Sequence, residues 1–166
     1  MASISSHATE ARISVVGFLL AKGDYAGATN ELDTIEKDLP DNPSVLYYRA
    51  RIAHDQGRIE EAIHDYERVY VVTSTPESIG PLLAECYFLA GDHARAYRVF
   101  SDTLSPYTAA SHNLRHYYYY AFSAYVMGET SEAEAAIAVI ETLSSGTRDE
   151  LAHQVSELKQ VISETQ

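Results

Sequence analysis

Gly57-Arg58-Ile59-Glu60-Glu61-Ala62 and Gly91-Asp92-His93-Ala94-Arg95-Ala96 are two copies of one pattern, a glycine followed five residues later by an alanine. Gly23-Asp24-Tyr25-Ala26-Gly27-Ala28 precedes them at the same spacing of 34, and Gly128-Glu129-Thr130-Ser131-Glu132-Ala133 follows 37 later. The register extends on both sides of each glycine. Nine residues after it stands a large side chain: Leu32, Tyr66, Phe100 or Ile137. Seven before it stand Val16, Ala50, Ala84 and Ala121, and four before it Leu19, Ala53, Tyr87 and Ala124. Self-similarity at a period of this length marks a stack of repeated supersecondary units.

Each unit reads as a helical hairpin. Glycine suits the left-handed position just past a helix C-terminus, where a Cβ clashes. Asp24 and Asp92, one residue further on, are placed to cap the next helix by accepting its free N–H groups. Small residues seven before and five after the glycine let the two helices approach closely. Large ones nine after, with Leu19 and Tyr87 four before, fill the space between hairpins. A single hairpin cannot bury its apolar face, but a stack can.

The expected fold is therefore all-α: a right-handed α-α superhelix of about four hairpins, at residues 9–42, 43–76, 77–110 and 114–147. All belong to one domain spanning 1–166, with residues 1–5 a loose tail and Pro106 to Asn113 a turn-rich insertion. Thr147-Arg148-Asp149-Glu150 is a capping box, and it opens a terminal helix over about 148–164. Leu151, Val155, Leu158, Val161 and Ile162 share one face of that helix, which closes the end of the stack.

Composition narrows function by exclusion. Among 166 residues, Lys plus Arg number 12 against 24 Asp plus Glu, a formal net charge of -12. Such a surface repels phosphate backbones and anionic lipid, so neither nucleic acid nor a membrane is an expected partner. The apolar run Val15 to Ala21 falls well short of the ~20 residues that span a bilayer. Glu10 cancels Arg12 ahead of it, unlike the basic start of a signal peptide. The single cysteine, Cys86, forms no internal disulfide and reads as a buried small hydrophobe. A cytoplasmic location is expected. The aromatic inventory is skewed, with no Trp, four Phe and 13 Tyr, including the run Tyr117 to Tyr120.

The glycine–alanine hexapeptides at a spacing of 34 resemble the tetratricopeptide repeat family. The family's repeat-end proline is matched by Pro40, whereas its early tryptophan-type position holds Arg12, Leu46, Gly80 and Tyr117. In size, acidity and the Ala84-Glu85-Cys86-Tyr87 segment the chain also resembles the small acidic tetratricopeptide chaperones of bacterial type III secretion. The resemblance implies a protein-binding module, an adaptor or chaperone, whose first helices line a concave groove for a partner's peptide or helix.

Mapped from the glycines, the groove candidates are Tyr47, Tyr48, Arg51 and His54, then Glu85 and Phe88, then Tyr118, Tyr119, Phe122 and Tyr125, with Arg115 at the start of the fourth repeat. Tyr offers large contact area at low rotamer cost with a hydroxyl to spare. Helical geometry sends Tyr117 and Tyr120 to the core and Tyr118, Tyr119 and Tyr125 to the groove. The expected ligand is an apolar or amphipathic segment. The alternative is a homodimeric scaffold whose groove is filled by a second copy. The resemblance also allows one negative test. The family's carboxylate clamp needs Lys, Asn and Arg, but its positions here hold Ile13, Gly17, Tyr48, Ser78 and Leu82, so an anionic tail is not expected.

No phosphate loop, nucleophile elbow or HExxH occurs, and no catalytic residue, cofactor or metal is expected. His112 and His116, four apart, lack a third ligand and read as a surface or core pair. The acids of the second helices, including Glu31, Asp65, Glu132 and Glu141, are expected on solvated outer faces.

Overall fold

The computed structural model describes residues 6–104, 113–144 and 150–164. Among them are nine helices and no strand. The chain divides into two compact units, Met1–Ser74 and Thr75–Gln166. The first holds α1 (Ser6–Ala21), α2 (Tyr25–Asp38), α3 (Pro43–Asp55) and α4 (Ile59–Val72). The second holds α5 (Pro76–Leu89), α6 (His93–Thr103), α7 (Leu114–Val126), α8 (Thr130–Leu143) and α9 (Glu150–Glu164). The expected tail at residues 1–5, the turn after Pro106, His112 and the capping-box residues Thr147 to Asp149 lie outside the described residues.

The four turns are built alike. Gly23, Gly57, Gly91 and Gly128 have φ of 74, 73, 79 and 83°. The N–H of the residue after each glycine donates to the carbonyl of the residue four before that glycine: Leu19, Ala53, Tyr87 and Ala124, at 2.8–2.9 Å. This is the double-bonded left-handed cap that satisfies orphan carbonyls at a helix end. Two aspartates then start the next helix as expected. Asp24 Oδ1 accepts from Gly27 N at 2.9 Å and Asp92 Oδ1 from Arg95 N at 3.0 Å. Asn42 and Asn113 do the same for α3 and α7.

Consecutive helices pack into hairpins: α1 with α2, α3 with α4, α5 with α6, α7 with α8. The small repeat positions carry this packing. Val16, Ala50, Ala84 and Ala121 are fully buried, as are Ala28, Ala62, Ala96 and Ala133. Tyr66, Phe100, Leu32 and Ile137 fill the interior as the register requires. Gly80 stands where the repeat register asks for a bulky side chain, and the structure shows why: a Cβ there would run into the Thr103 side chain. In the second unit Val155, Leu158 and Ile162 of α9 join Ile137 and Ile140 of α8 in one core.

Two expectations are corrected. Asp65 does not face solvent. It is buried, with Arg49 Nε at 3.5 Å, His64 Nδ1 at 3.0 Å and Arg68 NH1 at 3.8 Å. A carboxylate is rarely buried unless paired, and here three basic groups gather round it. Tyr120 is not core. Tyr117 is, at 2% exposure, whereas Tyr120 is half-buried and stacked on Tyr97.

Candidate functional site

The predicted site residues fall into two sets, one in each unit. In the first, Tyr47 and Tyr48 lie near the start of α3, with ring centroids 5.0 Å apart edge to face. Tyr47 leans inward on buried Tyr66 at 6.2 Å. The Tyr48 hydroxyl lies over Gly17 of α1, in ordinary contact with where a Cβ at 17 would stand. Arg51, one turn on, is exposed. Burial pulls its pKa down, but the Tyr47 oxygen and Asp55 outweigh that and hold it above the ordinary value. His54 occupies the last turn, half-buried.

The second unit brings its set together more tightly. Phe88 of α5 stacks on Tyr119 of α7 at 4.2 Å with planes 25° apart. Phe122 meets Phe88 edge to face at 5.6 Å, and Tyr118 closes the group at 5.9 Å from Tyr119 and 6.5 Å from Phe122. All four rings are half-buried. Tyr125, also half-buried, packs against the core shared by α7, α8 and α9. Burial, and then Glu157, raise the Tyr118 pKa, so the phenol stays protonated at neutral pH. At the C-terminal ends of α5 and α7, Leu89, Val126 and Met127 are each roughly half exposed.

One helical turn nearer the N-termini, Glu85 and His116 join the same two helices. His116 Nε2 lies 3.0 Å from Glu85 Oε2, their side chains 9% and 16% exposed. Glu85–His116 and Phe88–Tyr119 share one sequence offset, so α5 and α7 run side by side in fixed register with polar and aromatic rungs in succession. His116 is thus a core residue bonded to a predicted groove residue. Arg115 stands exposed beside it.

The sequence-based reading missed His93. Its ring lies 5.2 Å from Phe88 and 5.3 Å from Phe122, completing the aromatic group from the first residue of α6. The signal was its place two residues after a turn glycine, where the second helix starts beside the end of the first. Burial, and then Glu85, push the Cys86 thiol up to about 12, far from the thiolate that nucleophilic catalysis needs. Among the described residues no group of three His, Cys, Asp or Glu is placed to hold a metal ion. No helix among them is long and apolar enough to cross a membrane.

Comparison with known proteins agrees with this architecture. Residues 19–79 match the family model described as "Tetratricopeptide repeat". No curated protein matches the chain. Among solved structures, the MamA protein superposes with a TM-score of 0.68 at 19% identity, covering 94% of this chain and 86% of its own. A thermophilic TPR protein of Thermus thermophilus does so at 0.61 and 19%, covering 93% and 82%. A tetratricopeptide repeat protein of Parabacteroides merdae gives 0.66 at 16%, covering 93% of this chain and 58% of that one. Likeness at these identities shows the fold: stacked helical hairpins of the tetratricopeptide kind.

Proposed function

We propose that the chain is a non-enzymatic protein-interaction module that takes an apolar or amphipathic segment of a partner protein against the aromatic faces of its first helices. The observation that carries this reading is the connected ring group Phe88, Tyr118, Tyr119 and Phe122 in the second unit, half-buried, on helices whose C-terminal ends expose Leu89, Val126 and Met127. Glu85 and Arg115 supply polar contacts at one end and Tyr125 extends the face at the other. In the first unit Tyr47, Tyr48, Arg51 and His54 form a smaller face. Soluble proteins tolerate few contiguous apolar patches without a use for them.

Magnitude fits reversible binding. Covering ~500 Å² of such surface gains ~12 kcal/mol gross, of which association and ordering remove roughly half, leaving ~6 kcal/mol and a dissociation constant of tens of micromolar. The acidic type III secretion chaperones and related adaptors are models for such a client-holding role. Tyr119→Ala/Phe122→Ala, set against wild type in affinity capture from a soluble extract, tests the reading. A partner retained by wild type and lost by the variant supports it. A wild type that retains nothing and sediments as a dimer, dissociated by the same substitutions, supports the homodimeric scaffold instead.

A further inference from the structure

In the later hairpins, the first-helix positions five and eight before the turn glycine are occupied by neighbours. Five before it, Ile52, Cys86 and Ser123 are buried. Ile52 joins the core that Val16 of α1 forms with Leu32 and Ile35 of α2. Eight before it, Arg49 bonds Glu36 of α2 at 2.7 Å, Leu83 is buried, and Tyr120 stacks on Tyr97 of α6. In hairpins two and four the cover is therefore the second helix of the hairpin before. On α1 the same two positions hold Phe18 and Val15, and these are 62% and 44% exposed.

The rest of that face is small and nearly uncharged. Ala11 and Ser14 are exposed beside Val15 and Phe18. Spaced as i, i+3, i+4 and i+7, these four frame a hole of the kind that accepts one side chain from a facing helix. Charge stands only at the two ends of the face. Exposed Glu10 lies at one, and Lys22 at the other, its Nζ 5.6 Å from the centre of the Phe18 ring. Between residues 6 and 22 the chain has one acid, Glu10, against two bases, Arg12 and Lys22, in a protein of formal net charge -12. Two copies that repel each other elsewhere can meet here without like-charge conflict.

We propose that this face of α1 pairs with the same face of a second copy of the chain, antiparallel about a twofold axis near residue 16. A twofold contact requires one patch to complement itself, and this patch does so in shape and in sign. Phe18 of each copy enters the hole framed by Ala11, Ser14, Val15 and Phe18 of the other. Each Lys22 comes level with the other copy's Glu10, because the two lie equally far from residue 16 on opposite sides. Head-to-tail stacking offers no such match, since α9 turns Glu150, His153, Glu157 and Lys159 outward. The 16-residue helix is ~24 Å long. A pair of that length buries roughly 700 Å², short of the ~1,200 Å² of a stable interface, so the dimer is weak, with Kd ~100 µM. The pairing face belongs to the first unit and the aromatic face proposed above to the second, and each stands or falls alone.

Sedimentation equilibrium of the full chain from ~10 to ~300 µM, a range that brackets this Kd, provides the test. The average mass of the wild type rises with concentration toward that of a dimer and no further. Phe18→Asp weakens association at least ~tenfold, with helix content and melting temperature preserved, while Tyr119→Ala/Phe122→Ala leaves it unchanged. Glu10→Lys and Lys22→Glu each weaken self-association, because each sets like charges level at both ends. Mixed in equal amounts the two variants pair with one another, because every facing pair is again of opposite sign. A wild type that stays monomeric throughout, association unaffected by Phe18→Asp or lost in Tyr119→Ala/Phe122→Ala, growth beyond the dimer, or single variants that do not pair on mixing would overturn the proposal.

Discussion

The first unit closes its hairpins with charge, and the second closes them with apolar packing at the same repeat positions. Eight residues past the turn glycine, the first unit has Glu31 and Asp65, bonded to Arg12 at 2.6 Å and Arg49 at 3.5 Å on the preceding helices. The second unit has Val99 and Ala136 there. Eight before the glycine, Arg49 is answered in the second unit by Leu83 and Tyr120. One hairpin geometry accepts both solutions because the backbone caps, common to all four turns, set the approach of the helices. The difference then decides what remains outside. In the second unit first-helix aromatics meet across α5 and α7, whereas in the first only α3 contributes tyrosines and α1 offers Ile13, Ser14 and Gly17.

The strongest way to break this contrast is to hollow the shared interior. Phe100→Ala removes a fully buried ring from the second unit and costs ~3–5 kcal/mol, read by chemical denaturation. Asp65→Ala leaves Arg49 and Arg68 around an emptied site and costs ~2 kcal/mol, below the value for a fully buried pair because both arginines are partly exposed. Arg49→Leu/Asp65→Val converts the clasp to the apolar type of the second unit. It recovers most of that loss in a double-mutant cycle, since replacing both partners avoids the uncompensated charge.

A smaller effect separates the turns. Asp92→Ala removes a cap and costs ~1 kcal/mol, whereas Glu129→Ala, which caps nothing, changes thermal stability by no more than ~0.5 kcal/mol. The Asp92 cap carries a pH signature. The Arg95 backbone N–H, and then its side chain, hold the Asp92 carboxyl below the usual aspartate range. Its contribution is fully present above the unfolded-state pKa and disappears as pH falls through the lower folded value. Asp92→Asn keeps the cap and flattens that acid limb of the stability profile.

The repeat register made the fold legible, because a left-handed turn, a close helix approach and a filled interior each demand a residue type at a fixed offset from the glycine. Ala28, Ala62, Ala96 and Ala133 could hardly be read otherwise. Faces were less legible. Asp65 reads as solvated because a lone acid usually is, and the arginine that buries it sits on a different helix at an offset the family pattern does not contain. The angle of Tyr120 on α7 points to the core, but the neighbour that decides its exposure is Tyr97, fixed only by how α6 lies against α7. His93 escaped notice for the same reason. Contacts between consecutive hairpins, such as Tyr97 with Tyr120 and His93 with Phe122, follow from packing that spacing alone does not state, and Arg49 with Asp65 shows that a contact between the two helices of one hairpin can escape it too.

The central claim is that the aromatic face of α5 and α7 holds another protein, and site-specific photo-crosslinking tests it most directly. Benzoylphenylalanine replaces Tyr119 in one preparation and exposed Val161 of α9 in another, each irradiated in a soluble extract. The account predicts a discrete adduct with a different protein from position 119, absent from 161 and competed by unlabelled wild type but not by Tyr119→Ala/Phe122→Ala. An adduct with a second copy of the chain, or equal labelling from both positions, would contradict it.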